Sequence, residues 1–356
     1  MRIGILGYPG SGKTTVFNLV SGAGLPVGEF YTNSKIEPHA AAVEIPDPRV
    51  DALQELLKPP KTSYSKITIV DAGGFQEMQG RAGLTPALLN QLASMQALVH
   101  VVRVFSNPNV PHIAGSIDPQ RDIADMESDF LLHDVDIVER RLQRLGEEKE
   151  KGAGDPAEIE REQLLLQRLL GSLEDETPIR MLSFSSDDER MLSGFGLMSQ
   201  KPLLIVFNAD EQSDAASTEE VPGVKTLTLQ AELELDISTL AQDEAAIFLE
   251  EYAIEIPGRE RFLQAASDLL GIISFFTFND KELRAWALKK GSSALDAAGV
   301  IHTDIARGFI RAEVISWDEL VELGGMSKAR AAGKLRVEGK DYQVMDGELI
   351  TIRFNI

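Results

Sequence analysis

Residues 7–14 read Gly-Tyr-Pro-Gly-Ser-Gly-Lys-Thr and follow the short apolar run Ile3–Leu6. The pattern G-x-x-x-x-G-K-[ST] is typical of a phosphate-binding loop, because its glycines let the backbone curl until successive N–H groups point at the phosphates. The apolar segment Thr15–Val20 is expected to form a helix whose positive dipole end adds to the site. A fortuitous glycine-rich turn fits this strand–loop–helix context poorly. The stretch therefore predicts an α/β fold built around a nucleotide site.

The residue types within this loop predict individual roles. Lys13 can reach the β- and γ-phosphates and stabilise the charge that develops on them. The Thr14 hydroxyl can ligate Mg²⁺. The loop residues expected to contact the nucleotide are Gly7, Gly10, Ser11, Gly12, Lys13, Thr14 and Thr15.

A second motif closes the apolar run Ile67–Val70, where Asp71-Ala72-Gly73-Gly74 satisfies D-x-x-G. In a switch NTPase the aspartate holds Mg²⁺ through water, and the N–H of the last glycine meets the γ-phosphate. Asp71 is therefore a predicted metal-site residue, and Gly74 joins Lys13 as a predicted catalytic residue. The alternative is a simple Asp/Gly turn, which the position at the end of a buried strand disfavours.

Phe75 follows this motif, at the position where many GTPases carry a glutamine that orients the attacking water. A phenyl ring can neither donate nor accept a hydrogen bond, so intrinsic hydrolysis should be slow or should use a backbone group, a solvent network or a partner. Gln76 lies one position late for this role.

The base-recognition element is expected after the run Leu203–Phe207, where the chain reads Asn208-Ala209-Asp210-Glu211. The guanine-reading pattern is N-K-x-D, whose aspartate accepts from N1–H and N2–H₂ of guanine and whose lysine stem packs along the base. Ala209 offers no such stem, and the extra methylene of Glu211 should crowd a bidentate grip on guanine. Asn208 and Glu211 are therefore predicted to read the base, with adenine favoured over guanine.

The net charge of −21 lies entirely within residues 1–270, where 44 acidic residues face 23 basic ones. Such acidity opposes broad non-specific binding to a phosphate backbone. Arg140-Arg141-x-x-Arg144 is a local basic patch, for which the solvated face of a charged helix is the simpler explanation. The chain contains no cysteine, and no apolar run approaches the length of a membrane span. These features predict a cytoplasmic protein with no membrane association.

Apolar strand-like runs alternate with helical stretches, as in a parallel α/β sheet. The runs are Ile3–Leu6, Ile67–Val70, Ala97–Val104, Leu203–Phe207 and Val224–Leu229. Residues 126–199 show helical periodicity and mixed charge around the turn Gly152–Pro156, which predicts an inserted helical hairpin. From residue 269 onward, short strands with one packed helix at Ala294–Ile301 predict a small α+β domain of the β-grasp type. Its strands are expected at Ile272–Phe278, Leu283–Leu288, Ala312–Ile315, Lys334–Val337, Tyr342–Val344 and Leu349–Phe354.

These residues together resemble the YchF / Obg-like ATPase family, a branch of the translation-factor-related P-loop NTPases. The resemblance runs from end to end of the chain and is dense in both halves. The stretches that carry it include Ile36–Pro38, Pro46–Arg49, Val99–Phe105, Asn107–His112, Gly115–Pro119, Ala298–Asp304, Arg307–Ile315, Gly333–Arg336, Gly339–Tyr342 and Arg353–Asn355.

The resemblance implies a P-loop G domain of residues 1–125 and 200–268, a helical coiled-coil insertion of residues 126–199 and a C-terminal TGS β-grasp domain of residues 269–356. It implies an ATPase that binds ATP in preference to GTP through the N-x-x-E pattern matched by Asn208 and Glu211. It also implies hydrolysis without a catalytic glutamine, Mg²⁺ as cofactor, and association with ribosomes or RNA. We expect the protein to act as a monomer.

Several positions depart from the family pattern, so the chain reads as a diverged member. The family's threonine before Ile-Glu-Pro is Lys35 here, which cannot ligate a cation. Three interpretations remain open. Thr32 or Ser34 takes the threonine's place in a shifted loop, or Lys35 pairs directly with phosphate, or the first switch lies open and Lys35 is simply solvated. The family's Ser-Ala-Lys-like base loop aligns near Thr226–Thr228 and has lost its recognisable form. The glycine-rich stretch after D-x-x-G survives only in part in residues 79–84.

The histidines receive no predicted catalytic role. His100 lies on an apolar strand and is expected to be a packed core residue. His112 and His302 lie in family-like stretches, but no carboxylate or nucleophile spacing in the sequence assigns them a mechanism.

Two functions of different classes fit these observations. The first is a translation-associated switch that binds Mg²⁺·ATP, or less favourably GTP, and hydrolyses it slowly. The second is a nucleotide-sensing module with negligible catalysis that docks on ribosomal RNA or protein, which Lys35 and Phe75 favour. A small-molecule kinase shares the phosphate loop, but the sequence carries no acceptor or lid motif, and the D-x-x-G and β-grasp elements oppose it.

Overall fold

The computed structural model describes residues 1–26, 39–72, 76–78, 81–213 and 221–355. The strands in chain order are β1 Arg2–Leu6, β2 His39–Glu44, β3 Thr62–Ser63, β4 Lys66–Asp71, β5 Gln76–Met78, β6 Arg81–Gly83, β7 Ala97–Arg103, β8 Leu203–Asn208, β9 Lys225–Leu229, β10 Ile272–Phe278, β11 Leu283–Lys289, β12 Phe309–Ser316, β13 Arg336–Glu338 and β14 Glu348–Phe354. The α-helices are α1 Lys13–Ser21, α2 Pro48–Leu57, α3 Pro86–Ala93, α4 Pro119–Glu150, α5 Pro156–Glu174, α6 Ser186–Leu192, α7 Ala231–Ser238, α8 Gln242–Glu251, α9 Gly258–Leu270, α10 Ala294–Ile301, α11 Thr303–Arg307, α12 Trp317–Leu323 and α13 Met326–Ala331.

The first sheet has the strand order β2-β4-β1-β7-β8-β9. The pairs β1–β7, β7–β8 and β8–β9 are parallel, and every residue of β7 and β8 is buried. Continuous apolar runs of this kind belong to parallel strands that are covered on both faces. The predicted strands of this sheet are confirmed, and their carboxyl ends bring the phosphate loop, Asp71 and Asn208 to one edge, where α/β sheets bind ligands.

The predicted helical hairpin consists of α4 and α5. Both helices begin at a proline preceded by an aspartate N-cap: Asp118 accepts from Arg121 N and Asp155 from Ala157 N. Arg141 on α4 donates from Nε and Nη2 to both carboxylate oxygens of Glu162 on α5, at 2.7 and 2.8 Å. The apolar seam between the helices includes Leu131, Val138 and Leu145 of α4 and Ile159, Leu166 and Leu169 of α5.

The second sheet is mixed and has the order β13-β12-β14-β10-β11-β3. Successive residues of a strand face opposite sides, and Phe275 and Phe276 of β10 accordingly enter two different apolar clusters. Phe275 packs in a cluster with Ala294 and Ala297 of α10, the expected β-grasp helix. That helix begins with the capping box in which Ser293 and Asp296 satisfy each other's backbone N–H groups.

The C-terminal region differs from the sequence-based expectation in two respects. The expected strand Tyr342–Val344 is reduced to an isolated bridge between Ser293 and Gln343. Helices α11, α12 and α13 accompany α10, although the sequence predicted one packed helix. Leu320 of α12 and Ala329 of α13 are fully buried on the Phe276 side of the sheet, which requires a second covering layer.

The chain divides into two compact units, of residues 1–41 with 69–261 and of residues 42–68 with 262–356. The helical hairpin is part of the first unit. Residues 42–68, which the sequence placed with the P-loop domain, group with the C-terminal segment because Val50 and Leu53 of α2 enter the Phe276 cluster and β3 pairs with β11. The three-domain division at residues 125, 199 and 268 stays a prediction.

Candidate nucleotide-binding site

The phosphate loop joins β1 to α1 and depends on glycine at three positions. Gly10 and Gly12 have φ angles of 77° and 87°, in the left-handed region that residues with a Cβ rarely adopt. At Gly7 a Cβ would collide with the carbonyl oxygen of Val101, and at Gly12 it would collide with the side-chain amide of Asn208. Each of the three glycines is therefore required by conformation, close packing or both.

Helix α1 starts at Lys13 without a side-chain cap from any described residue. The N–H groups of a first helical turn have no partner within the helix, and together with the helix dipole they favour an anion. Ser11, immediately before this turn, is 3% exposed, and its Oγ has no hydrogen-bond partner among the described residues. This end of the helix therefore offers donors to a phosphate group.

Lys13 lies within the curl of the loop, and its Nζ donates to the carbonyl oxygen of Tyr8 at 3.3 Å. Burial lowers the pKa of Lys13, and the negative charge of Asp71 opposes that shift. A bound polyphosphate would add further negative charge and favour the protonated amine. Lys13 is therefore suited to phosphate contact, as predicted from its type and position.

Thr14 and Asp71 meet at the same end of the sheet. The Thr14 hydroxyl donates to Asp71 Oδ2 at 3.0 Å, while Oδ1 of this buried carboxylate has no partner among the described residues. Within the described ranges, no three His, Asp or Glu side chains cluster so as to hold a metal by themselves. Mg²⁺ commonly uses one or two protein oxygen ligands together with phosphate oxygens and water. The two residues therefore fit the predicted Mg²⁺ site.

Asn208, at the end of β8, supports the phosphate loop through its side chain. Its Nδ2 donates to the carbonyl oxygen of Ser11 at 3.1 Å, and its Oδ1 accepts from Ala231 N at 3.3 Å. Both polar atoms of a side chain that is 4% exposed are thereby used. In the described structure Asn208 ties the phosphate loop to the turn after β9, which is a positioning role that the sequence did not predict.

Asp210 and Glu211, the two acidic residues that follow Asn208, occupy different environments. Burial raises the pKa of Asp210, but hydrogen bonds from the Ser213 hydroxyl and from backbone N–H groups outweigh it and hold that pKa below its ordinary value. Glu211 is exposed, and its negative charge raises the pKa of the neighbouring Tyr252 phenol. Asp210 is therefore engaged by several hydrogen bonds, whereas Glu211 lies at the surface beside Tyr252.

The three residues that align with the family's base loop form part of a strand. Thr226, Leu227 and Thr228 belong to β9 and pair with β8, so they cannot form that loop. The turn begins after Leu229, whose carbonyl oxygen accepts from Ala209 N at 2.8 Å. Ala231 N, in this turn, donates to Asn208 Oδ1 at 3.3 Å.

The histidines have distinct environments. His100 is 1% exposed on β7, as expected for a core residue, and its ring meets that of Tyr8 edge-on at 6.4 Å. Burial, aided by the positive charge of Lys13, lowers the pKa of His100 to about 3. His302 caps α11 by accepting from Asp304 N.

His112 has a carboxylate partner that no spacing in the sequence indicated. Its Nε2 lies 2.9 Å from Asp122 Oδ2, and its Nδ1 accepts from Ala114 N at 3.2 Å. Since Nδ1 accepts, Nε2 carries the proton and donates to Asp122. The ten-residue separation spans the turn before α4, so no regular helix or strand period could indicate the pair.

Several predicted features lie outside the described residues. These are the predicted catalytic residue Gly74, Phe75, which is expected to slow hydrolysis, and Thr32, Ser34 and Lys35 of the first switch. Of the basic patch, Arg140 pairs with Asp136 and Arg141 with Glu148 and Glu162. These ion pairs agree with the charged helix face that the sequence favoured.

Arg103 is a residue of the site that sequence reasoning missed. It ends the apolar strand β7 and is 2% exposed. Its guanidinium donates to the carbonyl oxygens of Phe105, Asn107 and Val110 beside the phosphate loop. An arginine that closes an otherwise apolar strand is the sequence signal that could have identified it.

In the first sheet, the parallel strands include β1, which leads through a glycine loop into a helix without a side-chain cap among the described residues. Together with the Thr–Asp pair beside that loop, this arrangement defines a P-loop NTPase. A family model described as "50S ribosome-binding GTPase" matches residues 2–140 and agrees with this class. A second model, described as "Protein of unknown function (DUF933)", matches residues 272–355.

The chain belongs to the YchF family. It is 36% identical over 371 residues to the ribosome-binding ATPase YchF of Bacillus subtilis, with 100% of each chain covered. It is 35% identical over 364 residues to the protein of that name from Haemophilus ducreyi, covering 100% of this chain and 99% of the relative. The solved structure of the Schizosaccharomyces pombe YchF GTPase superposes with a TM-score of 0.83 at 26% identity, covering 99% of this chain and 97% of that one.

Two sequence-based expectations are thereby confirmed: the family, and a P-loop G domain with an inserted helical region and a C-terminal domain. Among the described residues, no helix is both long enough and apolar enough to span a membrane.

Proposed function

We propose that the protein is a P-loop NTPase that binds Mg²⁺·ATP, hydrolyses it slowly and acts as a regulatory switch on the ribosome. The observation that carries this proposal is the meeting of Lys13, Thr14 and Asp71 at the uncapped start of α1. Relatives of full-length similarity are named ribosome-binding ATPases, which supports the reaction and the partner. We infer a cytoplasmic monomer, and the absence of cysteine from the chain fits a reducing compartment.

In this proposal each part of the site has one task. The phosphate loop and the start of α1 donate to the β- and γ-phosphates, and Lys13 offsets the charge that develops on them. Thr14 and Asp71 would hold Mg²⁺, which when bound neutralises phosphate charge and orients the triphosphate. Gly74 is proposed to contact the γ-phosphate and so to couple hydrolysis to the second switch.

The proposal includes adenine as the preferred base, although the names of the relatives and of the matching family model differ between ATPase and GTPase. The support comes from Ala209 and Glu211, which replace the lysine and aspartate of the guanine-reading pattern. Asp210 bonds within its own loop and to Ser106 N, so it does not substitute for the missing aspartate. GTP is therefore expected to bind, but less tightly.

The direct test is the dissociation constant for ATP and for GTP, measured side by side by calorimetry with Mg²⁺. We expect ATP to bind more tightly, and Lys13→Ala to weaken ATP binding about a hundredfold, because loss of a charged hydrogen bond to phosphate costs about 2.7 kcal/mol. Lys151→Ala, at an exposed ion pair with Glu147 on the hairpin, is the matched control and should change nothing. Equal ATP affinity in Lys13→Ala and the native protein would refute the site.

A second candidate is a nucleotide sensor with negligible catalysis, and Phe75 is the observation that favours it. A single-turnover assay of phosphate release from ATP, with and without ribosomes, separates the two. Release in either condition supports the switch. Tight ATP binding with no phosphate release in either condition supports the sensor.

A further inference from the structure

Residues 105–111 follow β7 and lie against the phosphate loop at two separate points; we call them the cover loop. A Cβ built on Gly10 would meet Val110 Cγ1 at 3.0 Å and the carbonyl oxygen of Pro111 at 3.9 Å. A Cβ built on Gly12 would meet Phe105 Cε1 at 3.7 Å. The two ends of the cover loop therefore contact the two inner glycines of the phosphate loop.

Arg103 holds both ends of the cover loop at once. Its Nε donates to Phe105 O at 3.1 Å, its Nη2 to Asn107 O at 3.2 Å and its Nη1 to Val110 O at 2.8 Å. The guanidinium also lies 4.6 Å from the centre of the Phe105 ring. Only a planar group with several diverging donors can reach three carbonyl oxygens in this way, so lysine is a poor substitute.

The charge of Arg103 is not compensated by a carboxylate within the described part of the chain, where its contacts are neutral carbonyl groups and a ring. Burial lowers the pKa of this guanidinium, because the buried environment disfavours its charged form. A buried cation of this kind is a poor way to stabilise a fold. Its Nη1 would lie 3.5 Å from a Cβ on Gly10, so a polyphosphate in the loop would supply the missing negative charge.

Asp210 provides a second attachment for the same segment. Its Oδ2 accepts from Ser106 N at 2.9 Å, while its Oδ1 accepts from Gln212 N at 3.0 Å and from the Ser213 hydroxyl at 2.7 Å. The cover loop is thus joined to the loop that carries Glu211. A shift of the cover loop would disturb the phosphate loop and the proposed base-reading loop together.

We propose that Arg103 and Asp210 are positioning residues that hold the cover loop on the phosphate loop, so that the nucleotide enters a site whose wall is already formed. The inference rests on the proposed nucleotide site and adds two residues outside its motifs. Preorganisation of this kind acts on affinity, because the loop does not have to be ordered when the ligand binds.

The test compares the dissociation constant for Mg²⁺·ATP among Arg103→Met, Arg103→Lys and Asp210→Ala. We expect the constant to rise about tenfold for Arg103→Met and less for Arg103→Lys and Asp210→Ala. The dissociation constant should change by a larger factor than the single-turnover rate at saturating ATP, because the variants act mainly on binding. Arg168→Met is the matched control, since Arg168 also donates to a carbonyl oxygen, of Ser183, and stacks over Phe184, but on the helical hairpin.

Two further measurements separate positioning from loss of stability. Hydrogen exchange of residues 105–111 without nucleotide should speed up in Arg103→Lys and Asp210→Ala, while exchange of α1 stays unchanged. The double variant Arg103→Lys/Asp210→Ala should weaken binding by less than the product of the two single effects, because both side chains hold one loop. Arg103→Lys and Asp210→Ala carry the test if Arg103→Met does not fold.

The outcomes also distinguish this inference from the proposed function. If native protein binds ATP and Lys13→Ala does not, but folded Arg103 and Asp210 variants bind within twofold of native, the cover-loop proposal is overturned and the proposed function stands. If native protein binds neither ATP nor GTP, the proposed function fails, while the exchange measurement on residues 105–111 still decides whether Arg103 and Asp210 hold the loop.

Discussion

The Thr14 hydroxyl donates a 3.0 Å hydrogen bond to Asp71 Oδ2, joining the first turn of α1 to the end of β4. Asp71 is only 6% exposed, and its second oxygen has no partner among the described residues. A buried carboxylate that is half satisfied costs stability in the ligand-free protein. The same carboxylate is correctly disposed, with a hydroxyl beside it, for a hard divalent cation. The arrangement of Thr14 and Asp71 is therefore suited to ligand binding, at the expense of stability in the ligand-free protein.

Asp71→Asn should separate these two effects. We expect Mg²⁺-dependent ATP binding to weaken at least about tenfold, because the anionic oxygen ligand is lost. In the absence of nucleotide, the free energy of unfolding should fall by no more than about 1 kcal/mol, because the lost attraction to Lys13 is offset by removal of a half-satisfied buried carboxylate. Urea unfolding and calorimetry give the two quantities, with Asp136→Asn at the exposed pair with Arg140 as control. A large loss of stability in Asp71→Asn would contradict this account.

Two glycines flank α1, and substituting each by alanine separates the cost of left-handed backbone strain from the cost of a steric clash. Gly12 and Gly22 have φ angles of 87° and 69°, but a Cβ at Gly22 meets nothing within 4 Å, whereas one at Gly12 collides with the Asn208 amide. Gly22→Ala should therefore cost only the left-handed strain, about 1 kcal/mol, with ATP affinity intact. Gly12→Ala should cost more and weaken ATP binding at least about tenfold, since Asn208 must release Ser11. Thermal unfolding and calorimetry check both variants, and equal behaviour of the two would contradict the role of Asn208.

Local patterns predicted most of the first unit. The strands around Val70, Val101 and Phe207 follow from uninterrupted apolar runs, and the phosphate loop follows from residue types at fixed spacing. The roles of Arg103, Asp210 and His112 were missed because each depends on contacts set by the path of an irregular loop. No periodicity encodes such a path.

The C-terminal region was predicted less completely for a different reason. Helices α12 and α13 are short. Between Trp317 and Ala331 each helix has too few turns for a helical period of apolar residues to be recognised in the sequence. Their burial depends on the second face of the mixed sheet, where Phe276 lies. A strand covered on both faces does not reveal from its own sequence which segments cover it.

Base preference should be convertible at two positions. Ala209→Lys/Glu211→Asp restores the N-K-x-D pattern, and we expect the ratio of GTP affinity to ATP affinity to rise at least about tenfold, since a bidentate acceptor and a packed stem both contribute. Competition binding with both nucleotides measures the ratio. Glu211→Gln is the control, because it removes the negative charge without creating the guanine-reading geometry. A ratio that rises equally in the control would count against direct base reading by residue 211.

Protonation of His100 should contribute to acid destabilisation. Burial, aided by Lys13, lowers its pKa to about 3, against about 6.5 for an unperturbed histidine, so the unfolded chain binds a proton that the folded protein resists. The stabilising effect of neutral His100 is therefore complete above about pH 6.5 and is lost progressively as the pH falls toward 3, with a slope of at most about 1.4 kcal/mol per pH unit. Between pH 6.5 and 4.5, urea unfolding of His100→Leu should show a shallower fall in stability than the native protein. His39→Gln, at an exposed histidine of β2, should retain the native slope. Identical slopes for His100→Leu and the native protein would mean that this ring takes up no additional proton on unfolding.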